Sequence, residues 1–153
     1  FWLLLGISFT AVRFFSVYGP RGRPDMMPFT VMHRTVTGEP IELFDAGRMR
    51  RDWTYVDDIV SGVVAAIDEP LGYVVVNLGR GEPVWMSDFV EIIERLVGRS
   101  AVVRPVAAPA SEPKVNFADI TKARRLLGYE PTTRVADGLA EMWRWYQQEI
   151  LGC

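Results

Sequence analysis

The 153-residue chain is 49% hydrophobic and 24% charged, enough for one globular domain with a real core and too short for two full-sized ones. Its formal net charge of −2 exerts no general pull on nucleic acid or an anionic membrane, and no segment is long and apolar enough to span a bilayer. The single cysteine, Cys153, excludes a disulfide or thiol–metal framework within the chain and fits a reducing, cytoplasmic setting.

In chain order, Phe1–Leu5 reads as the end of a helix stopped by Gly6, with no basic leader or cleavage site that would make it a signal peptide. Thr10–Phe15 reads as a buried strand running into the turn Tyr18-Gly19-Pro20, and residues 19–28, rich in Pro, Gly and Arg, as a loop. A helix is predicted over Phe29–Val36 and a short strand over Ile41–Phe44. Asp57–Asp68 carries a helical apolar stripe of Ile59, Val60, Val63, Val64 and Ile67, while Tyr73–Leu78 is nearly continuous and β-branched, as a strand covered on both faces would be. Ser87 is a candidate N-cap for a helix with Phe89, Ile92, Ile93, Leu96 and Val97 on one face, ended by Gly98.

Ala101–Val106 is expected to be a strand, and Ala107–Asn116 a loop interrupted by prolines. A helix over about Asp119–Leu127 should stop at Gly128, and a last one should align Val135, Leu139, Met142, Trp143, Tyr146 and Ile150. Strands alternating with amphipathic helices indicate an α/β protein.

Chemistry is sparse. Gly79-Arg80-Gly81 lacks the third glycine of a dinucleotide-binding turn and reads as a plain strand exit. No Tyr is followed four residues later by Lys, and His33 sits among apolar neighbours as a structural histidine would. Asp57 and Asp58 open a helix, where acids offset the macrodipole. The basic side is more distinctive. Of 17 basic residues 15 are arginine, and Arg21, Arg23, Arg48, Arg50 and Arg51 fall in one stretch of planar forks suited to carboxylate or phosphate.

Three strings occur in order: Arg13-Phe14-Phe15-Ser16-Val17-Tyr18-Gly19-Pro20, Gly22-Arg23-Pro24-Asp25-Met26, and Arg51-Asp52-Trp53-Thr54-Tyr55-Val56-Asp57-Asp58. With Asn77-Leu78-Gly79, Thr121-Lys122-Ala123, Leu127-Gly128-Tyr129 and Trp145-Tyr146 they cover essentially the whole chain. This series resembles the extended short-chain dehydrogenase/reductase family of nucleotide-sugar epimerases and dehydratases, and within it the 4-epimerases of UDP-glucuronate.

The resemblance implies the C-terminal part of a Rossmann-like protein with its small substrate-binding domain. Residues 1–20 would end the Rossmann-like half, and residues 21–153 would form the nucleotide-sugar region together with returning sheet strands. NAD, the catalytic Tyr and Lys, and most of the cofactor site would belong to an N-terminal half outside this chain. The resemblance also implies a nucleotide-sugar substrate, no nucleic-acid or membrane partner, and a possible homo-oligomer formed through an exposed apolar edge.

Residue by residue, the resemblance implies that Arg51 pairs with the substrate diphosphate, and that Arg23 and Ser16 hold the uronate carboxylate. Phe15, Ser16 and Val17 would lie beside the nicotinamide. Phe29 with Ile41 and Leu43 would form the wall for the base, and Glu112 would stand in for a family Asp that contacts the nucleotide. Ser16 replaces the more usual Thr, and residues 108–113 lack the family's Gly and polar partner, which puts uridine specificity in question. Each position also has a plainer reading, as surface arginine, loop charge, core strand or helix start. Two other functions stay open: a 4,6-dehydratase or decarboxylase of another nucleotide sugar, and a non-catalytic nucleotide-sugar-binding or interaction module.

Overall fold

The computed structural model describes residues 2–152. Phe1 and Cys153 lie outside the described residues, as do the side chains of Trp2 and Leu3. In chain order the elements are α1 (Trp2–Leu5), β1 (Phe9–Phe14), β2 (Val17–Tyr18), α2 (Met27–Thr37), β3 (Pro40–Phe44), β4 (Arg50–Arg51), β5 (Thr54–Tyr55) and α3 (Val56–Asp68). They continue as β6 (Tyr73–Leu78), β7 (Val84–Trp85), α4 (Met86–Val97), β8 (Val102–Val106), β9 (Val115–Asn116), α5 (Thr121–Leu127) and α6 (Val135–Tyr146). The α/β expectation holds.

Three parallel pairs carry the architecture: β1 with β6, β2 with β5 and β3 with β8. A fourth sheet places β4 between antiparallel β7 and parallel β9. Two apolar clusters follow from this. One gathers Val74, Val76 and Leu78 of β6 with Ile59 of α3, Ala123 of α5 and Tyr129. The larger one packs Val31 and Met32 of α2, Phe89 and Ile93 of α4, and Leu139 and Met142 of α6 against Ile41 and Leu43.

Asp52 joins the two. Its side chain is 1% exposed. Oδ1 accepts the backbone N–H of Arg80 at 3.0 Å, while Oδ2 accepts those of Gly81 at 3.0 Å and Ala118 at 2.9 Å. Three amides satisfy a carboxylate that would be costly to bury bare. Asp58 does the same on a smaller scale, accepting the amides of Thr132 at 3.2 Å and Thr133 at 3.1 Å from the first turn of α3. The Tyr18 hydroxyl donates to Val135 O at 3.2 Å, and burial pushes its ionisation well above the usual range. It lies so close to α6 that a Cβ on Gly138 would meet it at 2.2 Å.

Several boundaries differ from expectation for physical reasons. Ser87 is not an N-cap: β7 pairs with β4 and feeds straight into α4, so tertiary pairing starts the helix at Met86, and Ser87 Oγ donates to Asp88 Oδ1 at 3.2 Å. The second helix begins two residues early, with Pro28 in its first turn, where a missing N–H costs nothing. Ile150 leaves the apolar stripe and is exposed, because the backbone widens to a π turn over Gln147–Leu151 and shifts the helical phase. Gly98 and Gly128 end their helices in the left-handed conformation, as expected.

Burial was overestimated at β1 and β6. Phe9, Phe14 and Tyr73 are half exposed or more, since this sheet has two strands and one covered face. On α3 the stripe exists, but Ile59 is buried while Val60, Val64 and Ile67 (74%) face outward.

After β3 the chain reverses through Asp45, Ala46 and Gly47, at φ 48°, 54° and 83°. Glycine is required at the third position, where a Cβ would meet Ser87 N at 2.7 Å. Ala46 bears a side chain in a conformation that costs L-residues about 1–2 kcal/mol. Ala46→Gly is therefore expected to raise stability by about 1 kcal/mol, and Asp52→Ala, which strands three amides, to lower it by about 3 kcal/mol or more. Urea unfolding of the two variants beside the parent checks both signs.

Candidate functional site

Between the larger cluster and the strand ends lie two cavities that share Ser16 as a wall residue. The first, about 340 Å³, is lined by Ser16, Leu43, Arg51, Trp53 and Glu112 among others. The second, about 660 Å³, is lined by Phe15, Ser16, Val17, Arg23 and Phe29, with Met142 at its wall. Ser16 sits in the break between β1 and β2, and its carbonyl accepts Thr54 N–H at 2.9 Å, so the break is fixed from behind by β5.

Arg51 is held from several sides. Its Nη1 donates to Arg50 O at 2.8 Å, and Nη2 reaches Glu112 Oε1 and, at 3.9 Å, Met49 Sδ. With the side chain 13% exposed, this is a half-desolvated cation rather than a surface one. It belongs to β4, whose next residue is the anchored Asp52, so the guanidinium inherits its position from a buried carboxylate. Arg23 is different. It is exposed and forms a two-point pair with Asp25, Nε–Oδ1 at 3.0 Å and Nη2–Oδ2 at 2.5 Å. The hydrogen bond from Arg23 holds the Asp25 carboxyl below the usual carboxylate range.

The predicted positions therefore divide. Ser16, Leu43, Arg51 and Glu112 meet at the first cavity; Phe15, Ser16, Val17, Arg23 and Phe29 meet at the second. Ile41 is corrected: it is 3% exposed and lines neither, because its strand packs it into the larger cluster. The single wall expected from Phe29 and the third strand is corrected too. Phe29 stacks on His33 at 5.9 Å and packs on Tyr146 at 5.7 Å, which turns it away from Leu43 and towards the second cavity.

Trp53 was missed as a wall residue. It tilts against Phe89 at 4.8 Å and closes the first cavity. Its place beside Arg51 in the quoted string was the available signal. Gly79-Arg80-Gly81 is a strand exit whose Arg80 and Gly81 amides are already taken by Asp52, which leaves no phosphate cradle of successive amides there.

A parallel α/β framework with an arginine-walled cleft is the general class to which this molecule conforms. A family model described as the NAD dependent epimerase/dehydratase family matches residues 4–79. A UDP-glucuronate 4-epimerase of Thermodesulfobacterium geofontis is 40% identical over 148 residues, covering 96% of this chain and 46% of that protein. UDP-glucuronate 4-epimerase 4 of Arabidopsis thaliana is 39% identical, covering 94% of this chain and 37% of that one. The crystal structure of UDP-glucuronic acid 4-epimerase from Bacillus cereus in complex with UDP-glucuronic acid and NAD superposes with a TM-score of 0.88 at 34% identity, covering 96% of this chain and 48% of that one. The chain belongs to the NAD-dependent epimerase/dehydratase family. It spans between 37% and 48% of the length of such curated relatives.

Both partners of Arg23–Asp25 are exposed, so the pair contributes little, and because its lowered carboxyl stays charged down to the acid side of the ordinary carboxylate range, that small contribution is fully present and constant near neutrality and is lost only on acidification. Asp25→Asn should leave the thermal midpoint unchanged between pH 6 and about 8, and scanning calorimetry at both ends of that interval is the check.

Proposed function

We propose that this chain forms the nucleotide-sugar-binding side of an NAD-dependent UDP-glucuronate 4-epimerase. The observation that carries the reading is the pair of cavities meeting at Ser16, one walled by the half-buried Arg51 and the other by the exposed Arg23. On this reading the first cavity takes the nucleoside diphosphate. Arg51, whose orientation is set by the Arg50 carbonyl, offers its fork to phosphate oxygens at the edge where Glu112 sits. Leu43, Met86 and Trp53 supply the apolar wall that a base would rest on.

The sugar then lies toward the second cavity. A uronate carboxylate there can take Arg23 in exchange for Asp25, with the Ser16 hydroxyl as a second donor. Such a clamp has a chemical purpose. Oxidation at C4 makes a β-keto acid, which loses CO₂ when its carboxylate bond lines up with the ketone π system. Two fixed donors hold the carboxylate out of that alignment.

Phe15, Ser16 and Val17 offer a wall to a nicotinamide ring, but no pyrophosphate cradle exists among the described residues, the Arg80 and Gly81 amides being held by Asp52. NAD, when bound, would accept the hydride from C4 and return it. The sequence has no Tyr followed four residues later by Lys, so proton transfer from such a pair would come from outside the chain.

The exposed apolar side of the small sheet supports the same division. On the uncovered face of that sheet Phe9 stacks on Tyr73 at 6.0 Å, and elsewhere Phe14 and the α3 residues Val60, Val64 and Ile67 are exposed, giving apolar area suited to contact with a dinucleotide-binding half.

Isothermal titration with UDP-glucuronate and UDP-glucose tests the assignment. Arg51→Ala is expected to weaken both ligands about ten- to a hundredfold, the value of one charge-assisted bond, whereas Arg23→Ala should weaken UDP-glucuronate alone by about tenfold. Parent-like affinity of Arg51→Ala for both ligands would sink the diphosphate assignment, and an unchanged ratio in Arg23→Ala would sink the uronate one.

A further inference from the structure

Residues 107–114 join β8 to β9, and Glu112 brings the segment to the wall of the first cavity. Two prolines, Pro109 and Pro113, stiffen the segment, and the Glu112 N–H closes a turn onto Pro109 O at 2.9 Å. Pro109, Ala110, Ser111 and Pro113 are exposed. Among the described residues, the one side-chain hydrogen bond from residues 107–113 to the rest of the molecule is Glu112 Oε1 accepting from Arg51 Nη2.

That bond occupies the group a diphosphate would need. Arg51 Nη1 gives one N–H to the Arg50 carbonyl and Nη2 gives one to Glu112, so a carboxylate already stands at this edge of the fork. Glu42 is a second carboxylate on the same wall. A phosphate arriving at Arg51 therefore meets two like charges, in a setting desolvated enough for their repulsion to count. Glu112 and a phosphate at the same edge of the fork oppose one another through their charge.

Resting on the nucleotide reading of this cavity, we propose that Glu112 is an internal competitor for the anion site. It latches residues 107–114 onto Arg51 until a ligand phosphate evicts it. This makes Glu112 a specificity-determining group. Only a ligand with phosphate charge at that position displaces it, so an uncharged nucleoside that fits the same walls leaves the latch closed. It also reverses the role that the family resemblance gives Glu112, since a residue that contacts the nucleotide helps binding and a competitor opposes it.

Two measurements on Glu112→Gln and the parent separate these roles. Replacing a charge-assisted bond by a neutral one should speed amide hydrogen exchange over residues 110–112 by roughly fivefold, with α4 and α6 unchanged. In titrations with UDP and with uridine, the variant should bind UDP roughly fivefold more tightly and uridine as the parent does. Unchanged loop exchange would overturn the latch, and weaker UDP binding by the variant would overturn competition in favour of direct contact. If neither protein binds UDP, the nucleotide reading and the eviction step both fail, and the exchange experiment still decides whether Glu112 holds the loop.

Discussion

A carboxylate without water has few ways to remain in a protein, and Asp52 uses the most restrictive of them: three backbone amides from two separate segments. Arg80 and Gly81 follow β6, and Ala118 precedes α5, so one side chain gathers the parts of the smaller cluster. Asp52 itself stands between Arg51 and Trp53, which face the first cavity. The position of the cation and of the aromatic wall is thus fixed by a residue that touches neither ligand nor solvent. Glycine at position 79 belongs to the same arrangement, since a Cβ there would meet Asp52 Oδ2 at 2.8 Å and Ala118 Cβ at 2.5 Å.

The abundance of arginine has a second explanation beside anion recognition. Arg50 donates twice to Pro83 O, at 3.3 and 2.8 Å, and lies 5.4 Å over the Trp85 ring. Arg34 donates to Pro40 O and Arg99 to Val36 O, each at 2.8 Å. Arg80 reaches Thr133 O and Glu82. In these cases the planar fork holds carbonyls in loops or at the ends of helices and strands. Composition concentrates forks in the chain; only tertiary placement separates the few at a cavity wall from those that tie loops together.

The same distinction explains which parts of the structure were legible. Helices α3 and α5 and strand β6 could be read because each carries its own period or its own glycine stop. The two-residue strands β2, β4, β5, β7 and β9 are too short to have a period, and they exist because distant partners pair with them. Ser87 looked like a cap until a strand entered its helix. At the candidate site, Arg51 and Ser16 were proposed from matched strings and Glu112 as a stand-in within a segment that departs from the family, while Ile41 and Leu43, two apolar residues on one strand, could not be told apart without knowing where β3 meets the core. Outward exposure of Val60, Val64 and Ile67 was illegible for a related reason: a stripe reveals a face to be covered, not what covers it.

The parallel pairing of β1 with β6 also bears on the order in which the chain can fold. Ser8 and Gly72, which exchange hydrogen bonds at the start of that ladder, are 64 residues apart. Closing so long a segment costs chain entropy before any ladder bond repays it, whereas α2, α4 and α6 form through local contacts. The helices themselves should therefore form before the sheet. The amide cluster at Asp52, which needs β6 in place, then forms late, and the arginine it orients reaches its working position only near the end of folding.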